Sequence, residues 1–85
     1  MFNVLYSSQA SSFLKKADKS LAERMLKKID GLRTEPVTHD TKVLDGYKER
    51  LFRVRVGDHR ILYEVDYKSN TIGIVKIDKR SIVYD

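Results

Sequence analysis

The chain has no cysteine, no tryptophan, one proline and four glycines in 85 residues. Without cysteine there is no disulfide framework, no thiolate metal site and no cysteine nucleophile, a pattern compatible with a reducing cytoplasm. No apolar run approaches the roughly 20 residues of a membrane helix. The opening residues, Met1-Phe2-Asn3-Val4-Leu5-Tyr6-Ser7-Ser8, lack the charged and then long apolar order of a secretory signal. A cytoplasmic protein without a membrane partner is therefore expected. Gly57 and Gly73 are isolated, which excludes a glycine-rich phosphate cradle. His39 and His59, among scattered carboxylates, do not have metal-ligand spacing. Ser7, Ser8, Ser11 and Ser12 read as cap and helix-surface residues, outside the context of a nucleophile elbow.

What is present is basic and small. Lys and Arg number 17 against 12 Asp and Glu, a formal charge of +5. A chain of this length hides only about 60–65% of its surface on folding, enough for one thin core and little room for a deep pocket. Residues 1–85 are thus expected to form a single domain, and a large cofactor enzyme is not expected. With 41% hydrophobic and 34% charged residues the composition is globular.

Hydrophobic periodicity divides the chain in two. Residues 2–6 alternate as a short strand, and Ser7 or Ser8 can cap a helix whose apolar stripe is Ala10, Phe13, Leu14 and Ala17. Ser20 and Glu23 have capping-box spacing, which predicts a second helix from Ser20. Its stripe is Leu21, Met25, Ile29 and Leu32, with Leu26 beside it, and Pro36 stops it. Residues 35–47 read as one loop. From Leu51 the period falls from 3.6 to 2. Residues 51–56 and 59–66 then form a hairpin around Gly57-Asp58, and residues 71–77 form a third strand, apolar on both faces as in a sheet interior. Residues 78–85 read as a basic tail. The expected order is strand, two helices, three strands and tail.

The chemistry-bearing residues cluster on those strands. If Phe52, Val54 and Val56 face the helices, Arg53 and Arg55 project from the opposite face, and the returning strand can place Arg60 or His59 beside them. Guanidiniums on one face repel each other, and an anion between them removes the repulsion, since their planar forks bind phosphate oxygens bidentately. The competing reading is a solvated face protected against edge aggregation. Lys79 and Arg80 could reach the same face, with Tyr84 close to one helical turn beyond Arg80 if the tail coils. The lysines at 15, 16, 19, 27 and 28 read as a solvated helical face, with a second phosphate-tracking patch as the alternative.

The segments Leu44-Asp45-Gly46-Tyr47, Leu51-Phe52-Arg53-Val54-Arg55-Val56-Gly57-Asp58-His59-Arg60-Ile61-Leu62-Tyr63-Glu64-Val65 and Lys79-Arg80-Ser81-Ile82-Val83-Tyr84 resemble the RelE/ParE superfamily of toxins, in a RelE-like form. The resemblance covers essentially the whole chain. It implies an α+β fold in which a helical hairpin packs on a small, mainly antiparallel sheet whose other face is basic and concave. It also implies a ribosome-dependent messenger-RNA endoribonuclease silenced by a RelB-like antitoxin, with operator DNA bound through the toxin–antitoxin complex. Carried over by position, Arg53, Arg55, Arg60, Arg80 and Tyr84 are the catalytic candidates, with Lys79 as the alternative to Arg80 at the late basic position. Lys79, His59, Lys48 and Arg50 are RNA-contacting candidates, and no cofactor or metal is implied. The two strand positions are lysine in one RelE branch and arginine here, which makes them poor general bases. His59 is a candidate base if it faces the arginines, with Tyr84 or the ribosome as alternatives. ParE-like relatives share the fold but inhibit DNA gyrase without cutting RNA.

Overall fold

A computed structural model describes residues 1–44 and 50–79. The elements are β1 (Asn3–Tyr6), α1 (Ser8–Lys16), α2 (Lys19–Thr34), β2 (Lys42–Leu44), β3 (Leu51–Val56), β4 (His59–Asp66) and β5 (Thr71–Lys79). The strands form one sheet in the order β1-β5-β4-β3-β2. β1 pairs with β5 in parallel, and every other neighbouring pair is antiparallel. Both helices lie on one face. There Ala10, Met25, Ile29 and Leu32 pack against Phe52, Val54, Val56, Ile61, Tyr63, Ile72, Ile74 and Ile77. The helical hairpin on a mainly antiparallel sheet is the α+β arrangement that the resemblance implies, built from the elements that the periodicity predicts.

Four local features differ from the sequence reading. α2 starts at Lys19 because Asp18, two residues ahead of the expected capping box, accepts a hydrogen bond from the Leu21 amide at 2.8 Å. Ser20 therefore lies inside the first turn. The expected loop over residues 35–47 contains β2, a three-residue strand on the outer side of β3. The expected tail does not begin at Asp78, since Asp78 and Lys79 continue β5. Finally, β5 carries a bulge. Leu62 pairs with Lys76 but Tyr63 with Ile74, which leaves Val75 as the extra residue. The bulge shifts the alternation by one, so that Ile72, Ile74 and Ile77 all reach the helix-side core. This shift, rather than burial on both faces, accounts for the long apolar run.

Ser7 caps α1 by accepting from the Ala10 amide at 3.1 Å, and its hydroxyl donates to the Val75 carbonyl at 2.7 Å. Two residues on, the Gln9 carboxamide accepts from the Ile77 amide at 2.8 Å and donates to its carbonyl at 2.6 Å. These side chains continue, along β5, the bonding that β1 begins. They satisfy an edge that would otherwise be open to another strand.

Candidate nucleic-acid interface

Residues directly opposite in an antiparallel ladder share a face. In the β3–β4 ladder Arg55 faces Arg60, Arg53 faces Leu62 and Val56 faces His59. Val56 is in the helix-side core, so Arg53, Arg55 and Arg60 all lie on the other side of the sheet. β2 adds Lys42, opposite Arg53. β5 adds Lys76, opposite Leu62, and Asp78, opposite Arg60. The expected gathering of three arginines on one face is thus present, with two lysines alongside.

Their settings differ. Arg55 is exposed, whereas Arg53 is 3% exposed and is flanked on its face by buried Leu51 and Leu62. A uniformly solvated basic face, as the alternation alone implies, is not what forms. Asp78 positions Arg60, accepting from its Nε at 2.9 Å, and lies 3.7 Å from Lys76 Nζ. The carboxylate counters the repulsion between Arg60 and Arg55 and fixes the direction of the Arg60 fork.

A cavity of about 290 Å³ opens beside this row, lined by His39, Asp40, Thr41, Lys42, Arg53 and Arg55. The segment before β2 is tied down from below. The Tyr63 hydroxyl donates to the Pro36 carbonyl at 2.6 Å and lies 3.2 Å from Thr41 Oγ1. Burial pushes the Tyr63 phenol up from its ordinary value, partly opposed by the Thr41 hydrogen bond. From the side, Lys28 Nζ donates to Asp40 Oδ2 at 2.6 Å and the Thr38 hydroxyl donates to Asp40 Oδ1. With these two donors, Lys28 first, the Asp40 carboxyl is held at about 2. Lys28 is therefore paired rather than a purely solvated charge.

Three expected members stand elsewhere. His59 shares Val56's face and packs its ring edge-on against Phe13, with centroids 5.5 Å apart, so it does not face the arginines. Lys79 is opposite His59 and so belongs to that same helix side. Arg50 is exposed and lines a separate cavity with Glu64, Asp66, Tyr67 and Lys68. Lys48, Arg80 and Tyr84 lie outside the described residues. Lys42 and Lys76 were not anticipated. Lys42 falls in a tripeptide too short to show alternation, and Lys76 follows the bulge that reverses the parity of its strand.

Among the described residues no helix is long and apolar enough to cross a membrane. Comparison with known proteins gives a consistent answer. Residues 4–84 match the family model described as the ParE toxin of the type II toxin–antitoxin system parDE. Among solved structures, RelE in the archaeal RelE–RelB complex from Pyrococcus horikoshii has 31% identity and a TM-score of 0.83, over 96% of this chain and 98% of that one. A chain of the Mycobacterium tuberculosis RelBE2 toxin–antitoxin complex has 25% identity and a TM-score of 0.79, over 93% and 98% respectively. The isolated E. coli RelE toxin, at 16% identity, shares the fold with a TM-score of 0.81 over 95% and 86%. No curated protein sequence matches.

Proposed function

This chain belongs to the RelE/ParE superfamily of type II toxin–antitoxin toxins, and from that premise we propose that it cuts messenger RNA on the ribosome without a metal. One observation carries the reading: Arg55 and Arg60 are direct cross-strand partners on the face away from the helices. Asp78 offsets part of the repulsion between them, and two planar guanidinium forks side by side on one face fit a phosphate bound bidentately. The ribose 2′-OH would attack the adjacent phosphorus in line, lose its proton, and expel the 5′-oxygen, which takes up a proton. The products are a 2′,3′-cyclic phosphate and a free 5′-OH. Arg55 and Arg60, with Arg53 behind them, would stabilise the additional charge of the transition state. Arg80 would assist the leaving oxygen. Arginine holds its proton too tightly to act as base, and His59 faces Phe13. The proton acceptor is then Tyr84 or a group of the ribosome.

A cognate RelB-like antitoxin is the proposed silencing partner, as RelB accompanies RelE in the P. horikoshii complex, and the complex would bind operator DNA through it. The deciding experiment is purified toxin on programmed ribosomes and on the same RNA free in solution. Cleavage only on ribosomes is the expected result, because orientation supplied by the ribosome substitutes for a strong base. Equal cutting of free RNA removes the ribosome from the mechanism. A gyrase-inhibiting toxin is the second reading, favoured by the match to the ParE family model. Inhibition of supercoiling without RNA cleavage would select it.

A further inference from the structure

We infer that the cavity between α2 and the β3–β4 turn is a second RNA-backbone site, continuing the arginine face around the rim of the sheet. The inference rests on the RNA reading above and extends it to residues of the helical layer. The cavity measures about 540 Å³ and is lined by Arg24, Lys27 and Lys28 of α2 and Arg55 of β3, with buried Leu32 and Val56 at its base. Glu35 is the carboxylate among its lining residues, and Asp40 pairs with Lys28 from outside the lining, so four cations meet two anions. The volume lies within the range of small-molecule sites, enough for a nucleotide with its phosphate toward the cations.

Three further observations make this more than a solvated charged surface. First, Arg55 lines both this cavity and the smaller one on the arginine face. The two share a corner, and a chain of phosphates crossing Arg55 enters both. Second, Arg24 is seated: its Nη2 lies 2.9 Å from where a Cβ on Gly57 would be, and Gly57 has a φ of +59°. The turn thus has the backbone that glycine favours, and the missing side chain is the space the guanidinium occupies. Third, α2 keeps a glycine within its length at Gly31, where a Cβ would meet nothing within 4 Å. Glycine is among the poorest residues for a helix interior, and no neighbouring group requires it here. Gly31 is exposed and lines the cavity, so its missing side chain leaves the groove open at this point.

Single-stranded RNA is the polyanion that matches two cation-lined cavities joined at one arginine. The test is binding of an uncleavable 2′-O-methyl RNA 12-mer, by fluorescence anisotropy at low salt and by amide shifts, beside the 2′-O-methyl dinucleotide. The expected result has the 12-mer shifting the amides of Gly31 and Gly57 as well as those of Lys42 and Lys76, whereas the dinucleotide does not shift all four. Gly31→Gln fills the space without changing charge and suits a helix better, so it folds and melts no lower than wild type. It is expected to weaken 12-mer binding about fivefold. Lys27→Glu, which does not depend on filling the cavity, should weaken it about tenfold and flatten the slope of log K against log salt by about 0.7. Lys68→Glu, in the turn at the opposite end of β4, carries the same charge change and should cost less than twofold. Wild-type 12-mer affinity in both Gly31→Gln and Lys27→Glu, with shifts confined to the arginine face, overturns this inference and leaves the proposed function intact. No shift on either surface also overturns this inference, while the proposed function is decided separately by cleavage on programmed ribosomes.

Discussion

Tyr63, fully buried in β4, donates its hydroxyl hydrogen to the carbonyl of Pro36 at 2.6 Å. The segment leading to Lys42 is thereby fastened through the core to the same hairpin that carries the arginines. Tyr63→Phe removes the donor and leaves the Pro36 carbonyl without it. It should cost about 1–2 kcal/mol, read as a lower urea midpoint at unchanged m-value. A midpoint equal to wild type would mean that water replaces the phenol at no cost.

Arg53 and Arg55 are two residues apart on one face, yet one is 3% exposed and the other exposed. Arg55→Ala should leave the melting temperature nearly unchanged and lower single-turnover cleavage on saturated ribosomes about 10²-fold, the scale of losing one charge-stabilising donor. Arg53→Ala should lower both, since it also empties a packed position. Equal melting temperatures for the two variants would contradict the buried placement. Wild-type rates in both would remove the catalytic assignment. Arg55→Lys keeps the charge but loses the bidentate fork, and an intermediate rate is expected.

Asp78 is predicted to tune Arg60 rather than to react. In Asp78→Asn the 2.9 Å ion pair is lost, and two guanidiniums face each other with less compensation. Stability should fall by about 1 kcal/mol. RNA affinity should rise as the face becomes more positive, while the cleavage rate falls as Arg60 loses its orientation. Tighter binding together with slower chemistry separates this role from simple structural support, which predicts a parallel loss of both.

The Asp40 carboxyl, at about 2 in the folded chain, lies below the unfolded value of about 3.9. A depressed folded value means stability that is complete above the unfolded pKa and is lost as pH falls through the folded one. The window is therefore about pH 4 to 2. Because Asp40 is largely exposed, the contribution is small, within the range of surface ion pairs. Urea midpoints measured from pH 5 to pH 2 should fall less steeply in Asp40→Asn than in wild type. Identical slopes would show that the Lys28 and Thr38 contacts add nothing.

The sheet register explains how much of the site was legible. A two-residue turn at Gly57-Asp58 makes Val56 and His59 direct partners. Period-2 counting through that turn was sufficient to place Arg55 and Arg60 together and His59 with the core. The alternation within each strand alone leaves Arg60 and His59 as alternatives beside Arg55, and only the count through the turn separates them. β5 was harder, because its bulge at Val75 reverses parity midway and no residue type announces a bulge. Asp18 competed with Ser20 for the helix start, and both are good caps. The chain enters at Asp18, whose carboxylate reaches Leu21. Lys42 was invisible because a three-residue strand has no period, and its existence depends on β3 being there to pair with it.

β1 and β5 are neighbours in space but far apart in sequence, with Asn3 beside Thr71, and Gln9 clasps Ile77 across 68 positions. The β3–β4 hairpin that carries the paired arginines, and β2 beside it, need only contacts within residues 42–66, whereas β1 joins the sheet only through β5, the latest of the described strands in chain order. Slow, non-local closure of this kind separates the making of the charged face in time from the making of a stable molecule. A nascent or truncated chain that stops before Thr71 carries the arginine pair but has no strand for β1 to join and no backbone for Gln9 to hold.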